Sequence, residues 1–103
     1  MDPNHELYLH HGDSPGMKLV TKNLEEDNYD HWNRSMIISL TAKNKSGFIN
    51  RTCKCPIGNL SLETQWDRCN NMVISWIIHS VAPDIAESMI YYKKADEIWK
   101  ELY

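Results

Sequence analysis

The chain has 103 residues, a net charge of -3 with histidine neutral, and 42% apolar side chains, which is room for one small domain. That balance excludes a strongly basic nucleic-acid binder overall, and no run approaches the ~20 apolar residues of a membrane span. Four Trp and five Tyr can fill a core from few positions, because each large ring buries about 150–250 Å².

The opening "MDPNHELYLHHG" lacks the basic start and apolar run of a signal peptide. A loose polar segment is expected over residues 1–12 and a domain over 13–103. Without a secretory signal the location reads as cytoplasmic, with Cys53, Cys55 and Cys69 reduced. Leu7 alternates with Leu9 and Met17 with Leu19, on either side of Ser14-Pro15-Gly16-Met17. This predicts a short extended or hairpin element around a type II turn, with Gly16 at the position of positive φ.

The stretch "NYDHWNRSMIISL" predicts the first helix. Asp27 or Asn28 can cap it by accepting a first-turn amide. Tyr29, Trp32, Met36, Ile37 and Leu40 recur at helical spacing on one face, leaving His31, Arg34 and Ser35 mainly on the other. The helix should fade at Asn44–Gly47. Residues 47–61 read as a loop punctuated by Gly47, Pro56, Gly58 and Asn59, with Phe48 and Ile49 tucked beneath it. A second, central helix follows a Ser61 cap and carries Trp66, Cys69, Val73, Trp76 and Ile77 inward. It ends before Pro83, which suits the first turn of a third helix. A fourth helix starts near Ala95, carries Ile98, Trp99 and Leu102, and meets Tyr103 with no stop signal, which predicts a domain that continues past it. The fold class is therefore all-α, with about four helices. The expected core is Tyr29, Trp32, Met36, Leu40, Trp66, Cys69, Val73, Trp76 and Ile98.

No catalytic constellation accompanies these elements. His31 and Ser35 share a helix face, but a nucleophile needs an oriented base and an oxyanion site, and no Gly-rich elbow precedes them. The pair reads as a wet helix surface. Cys53-x-Cys55 has too short a gap for tetrahedral zinc, so no metal and no cofactor are expected. The indoles could act as stacking platforms for single strands, yet each falls in register with an apolar face and reads as core.

Between His31 and Leu62 there is no Asp or Glu. Lys43, Lys45, Arg51 and Lys54 in this interval form a candidate contact for RNA phosphates, weak and salt-sensitive. The central helix also has more apolar faces than so small a domain covers. Uncovered apolar surface marks an interface, and Ile38, Ile74, Ile78 and Trp99 are the candidates for self-association.

Four blocks, "DSPGMKLV", "NYDHWNRSMIISLTAKNKSGFIN", "WDRCNNMVISWIIHSVAPDIAESMIY" and "ADEIWKELY", resemble in order and spacing the N-terminal Gag domain of plant copia-type LTR retrotransposons. The resemblance runs from about Leu9 to Tyr103. Its most specific pieces are Asn-Tyr-x-x-Trp, Trp-x-x-Cys-Asn-x-Met-Val-x-Ser-Trp and Ile-Trp-x-x-Leu. The family's usual turn glycine ahead of Asn-Tyr is absent here, where Glu26 and Asp27 stand. The resemblance implies a non-catalytic, all-helical structural domain that associates with itself in virus-like particles around RNA. A stand-alone adaptor derived from such a Gag, binding a host protein, is the rival expectation. Neither reading implies a membrane or a small-molecule substrate.

Overall fold

The computed structural model describes residues 1–102; Tyr103 lies outside the described residues. Among them are five helices: α1 (Tyr29–Ala42), α2 (Gly47–Asn50), α3 (Leu60–Ile78), α4 (Pro83–Met89) and α5 (Ala95–Glu101). The fold is all-helical. The one extended pairing among the described residues is an isolated parallel bridge, Leu24 to Val81.

The apolar spacing of α1 buries Trp32, Met36 and Leu40. Tyr29 is half-buried, its ring tilted against Trp32 with centroids 6.4 Å apart. Asn28 occupies the N-cap position without capping. Its Oδ1 instead accepts the Glu25 N–H and its Nδ2 donates to Asn23 O, closing the turn ahead of the helix. The far end closes at Asn44, whose φ of 57° is left-handed. There the Asn44 N–H reaches Thr41 O and the Lys45 N–H reaches Leu40 O, the paired bonds that satisfy the last carbonyls of a helix. Asparagine tolerates that conformation better than other residues with a Cβ.

Residues 47–61 are not all loop. Their first four form α2, which buries Phe48 and Ile49 and stops at Arg51, where φ is 70°. Gly47 is required by close approach: a Cβ there would lie 2.8 Å from Cys53 Cβ. The cap of α3 is Asn59 rather than Ser61; its side chain accepts the Leu62 N–H at 3.2 Å. α3 buries Trp66, Cys69, Asn70, Val73, Trp76 and Ile77. Buried Asn70 donates to Lys93 O at 2.8 Å and accepts the Ala95 N–H at 2.9 Å. It thereby satisfies a first-turn amide of α5 from a neighbouring helix, a group that would otherwise lack a partner. α4 begins with Pro83 and has no fully buried residue. α5 buries Ala95 and Ile98, and Trp99 stacks on Trp32 with centroids 5.5 Å apart.

The N-terminal segment differs most from expectation. Ser14 O accepts the Met17 N–H at 3.1 Å, so a turn forms. Gly16 has no positive φ, so it is not type II, and its arms do not pair as a hairpin. Within residues 1–12, Leu7 and Tyr8 are held against the helices. Leu7 is buried, and its carbonyl accepts from Gln65 Nε2 at 2.7 Å and Cys69 Sγ at 3.2 Å. Lys45, only 1% exposed, donates its ammonium to Tyr8 O at 2.7 Å. Burial holds its pKa below the ordinary lysine value, because a low-dielectric site disfavours the charged form.

Two predictions follow from this packing. Gly47→Ala should destabilise the fold by about 1–3 kcal/mol through overpacking, whereas Gly12→Ala and Gly16→Ala, which meet open space, should be near neutral in urea denaturation. The second concerns pH. Because the folded chain releases the Lys45 proton before the unfolded chain does, stability rises with pH in the window just below 10.5, and the burial penalty is complete at lower pH. The thiols, raised by burial, act oppositely, so the readout is the difference between wild type and Lys45→Met. Wild type should gain stability relative to the variant as pH rises into that window; a flat or falling difference refutes the assignment.

Candidate interaction surface

Between α2 and the start of α5 lies an open groove of ≈ 560 Å³. α2 supplies Phe48, the following loop Cys53, Cys55 and Ile57, α3 Trp66, and the α5 side Lys94 and Asp96. Phe48 and Trp66 form its apolar floor, with ring centroids 5.5 Å apart. The Trp66 indole donates to Cys53 O at 3.0 Å, which fixes the loop against α3. At the rim, Arg51 Nε meets Asp96 Oδ2 at 2.9 Å. That pair holds the end of α2 to the first turn of α5, where a carboxylate is favoured by the helix dipole.

The groove offers little reactive chemistry. Burial pushes the Cys53 thiol up to about 12, with Glu6 adding to the effect. Cys55 is raised as well, by burial and then by Asp67 and Glu63. Since the thiolate is the nucleophile and metal ligand, both are held in the unreactive form. Cys69, the third thiol, is raised by its burial, and all three cysteines are free. Among the described residues no three His, Cys, Asp or Glu side chains converge on a metal position. His31 is exposed and Ser35 half-buried, and no hydrogen bond joins them among the described residues.

The four basic residues singled out as RNA contacts are not brought together as a free cationic patch. Lys43 is ion-paired to the nearly buried Asp13 at 2.8 Å and lies 5.1 Å from the Trp76 ring centroid. Arg51 is paired with Asp96. Lys45 is interior, a correction to its reading as a phosphate contact: its ammonium faces the Tyr8 carbonyl instead of solvent. Lys54 alone of the four is exposed without an ion-pair partner among the described residues.

The apolar candidates also divide. Ile38 is 51% exposed. Ile74 and Ile78 are half-buried, and Trp99 is half-buried against Trp32. The largest exposed apolar side chains include residues outside that set: Ile57 at 90%, Tyr91 at 88% and Leu60 at 79%, with Ile90 at 56%. Helical spacing gave no sign of Ile57 and Leu60, because neither sits within a periodic run. Ile57 stands between Pro56 and Gly58, and Leu60 follows a cap. Position supplies the signal: an apolar residue in a punctuated loop has few neighbours to cover it.

No helix among the described residues is long and apolar enough to cross a membrane. Residues 10–57 match the family model described as Gag-polypeptide of LTR copia-type. No curated protein and no solved structure matches the chain. The matched segment takes in the turn at Ser14–Met17, α1, α2 and the near wall of the groove, and the all-helical fold agrees with it. The match supports a copia-type Gag domain with a Gag-like structural role, over the 48 of 103 residues that it covers.

Proposed function

We propose that this domain works by contact and not by catalysis, associating with further copies of itself in particle assembly. The observation that carries this is the exposed apolar set Ile57, Leu60, Ile90 and Tyr91, with Ile38. Several large apolar side chains left in water on so small a domain favour association. The polar chemistry supports the same reading, since the thiols are held protonated and two of the four basic residues are engaged in ion pairs. Three free thiols fit a reducing, cytoplasmic location.

Sedimentation velocity over a wide concentration range tests this. The wild-type chain should sediment faster as concentration rises. Ile57→Ser combined with Leu60→Ser should weaken association by roughly a hundredfold or more, since burying each such side chain contributes about 1.5–3 kcal/mol and about 1.4 kcal/mol is tenfold. A wild-type chain that stays monomeric at every concentration overturns the proposal.

A further inference from the structure

Residues 1–20 lie along the helical body as a strap, and the body grips this strap through its main chain. Besides the bonds to Leu7 O and Tyr8 O, Trp76 Nε1 donates to Ser14 O at 2.7 Å and Ser75 Oγ to Pro15 O at 2.7 Å. Ser39 Oγ donates to Leu19 O at 2.9 Å. The donors belong to α1, α3 and the segment after α1; every acceptor is a strap carbonyl. Leu7 and Val20 fill the core beside them, with Leu9, Met17 and Leu19 packed against it. The Lys43–Asp13 ion pair closes the set. The helical body is therefore a preformed site for a segment of this composition, and it is filled in cis.

Strap and body are joined at a narrow point. Thr21 and Lys22 are exposed, and Asn23 Oδ1 is buried with no hydrogen-bond partner. The body begins at Leu24, held by its N–H to Ser80 O at 3.0 Å and its carbonyl to the Ala82 N–H at 2.9 Å. The strap anchors end at Leu19 and Val20, and the Asn23 carbonyl already accepts from Asn28 Nδ2 at 2.9 Å, so residues 21–22 can turn without breaking a bond on either side.

We propose that this site also takes residues 1–20 of a second copy, by exchange of straps about residues 21–22. The inference rests on the self-association reading and deepens it by naming the segment and the surface. Exchange remakes every strap contact in trans, so the two arrangements differ mainly at the hinge and in chain entropy, the condition under which swapping is a low-cost route to a dimer. A short linker gives the cis strap an effective concentration of millimolar order; exchange therefore becomes populated as the chain concentration nears that range.

The Asp13–Lys43 pair reports which chain holds the strap. At 2.8 Å a zero-length carbodiimide reagent can join the carboxylate to the amine. Heavy-nitrogen and ordinary chains are mixed in equal amounts, equilibrated across concentrations up to about 1 mM, cross-linked, and the Asp13–Lys43 peptides weighed. The expected result is mixed-isotope pairs that approach half of the total as concentration rises and vanish on dilution. In parallel, deleting Thr21 and Lys22 should raise the dimer fraction in sedimentation, and inserting three glycines there should lower it. Association accompanied by isotopically pure pairs and no response to either hinge change refutes strap exchange, leaving the self-association reading to another surface. Absence of association together with pure pairs refutes both.

Discussion

Three buried indole N–H groups organise this fold. A buried Trp nitrogen without an acceptor costs about 1–3 kcal/mol, so each ring must be placed against a carbonyl as well as inside the core. Helix carbonyls are mostly taken by their own ladder. The acceptors are instead Ser80 O for Trp32, Cys53 O for Trp66 and Ser14 O for Trp76. All three lie on irregular backbone, so each bond fastens a loop to a helix. The same Ser80 carbonyl also accepts from Leu24, and the Ser80 hydroxyl bonds Trp76 O at 2.6 Å. The approach to α1, the end of α3 and the Trp76 turn are thus tied at one place. With no sheet among the described residues, such anchors are needed, because the long irregular segments have no ladder to hold them.

The basic residues show the same economy of partners. Lys43 and Lys45 follow α1 in sequence and look like surface charge there. The left-handed turn at Asn44 sends them to different fates. Lys43 lies over Trp76 with Asp13 beside it, and Lys45 turns inward to a strap carbonyl. An ammonium inside a protein is costly unless hydrogen-bonded, and here the strap supplies the acceptor. Strap and lysine depend on each other: without the strap the ammonium loses its Tyr8 acceptor.

Periodicity made the larger elements legible. Spacing alone places Trp32, Met36 and Leu40 inward on α1 and Trp66, Cys69, Val73 and Trp76 inward on α3, where the structure buries them. These helices are long enough for a 3.6-residue period to be read. What was not legible depends on contacts distant in sequence. Nothing near Leu7 reveals that Gln65 and Cys69 will hold its carbonyl. α2 is one turn long, too short for a period, and exists because Phe48 and Ile49 are anchored while Gly47 lets Cys53 approach. Asn59 displaces Ser61 as the cap although both are good capping residues, and only the path of the loop decides between them. The candidate surface was half legible for the same reason. Ile38 sits on a helix whose outer face can be counted, whereas the exposure of Ile57 and Leu60 reflects a loop whose course the sequence does not state.

The division of polar and apolar groups supports the proposed use of this fold in contact. Three of its four indoles, its buried asparagine and two of its four central basic residues are committed to internal carbonyls or carboxylates. Buried Lys45 is committed likewise. Burial holds the thiols protonated. A site for chemistry needs polar groups converging on a cavity with capacity to spare, and the groups named here spend theirs on joining segments. The exterior carries, beside its charged residues, apolar side chains on turns and helix ends, together with a strap held by bonds that any copy of the same segment can make. Both are features that suit the proposed association with a second copy.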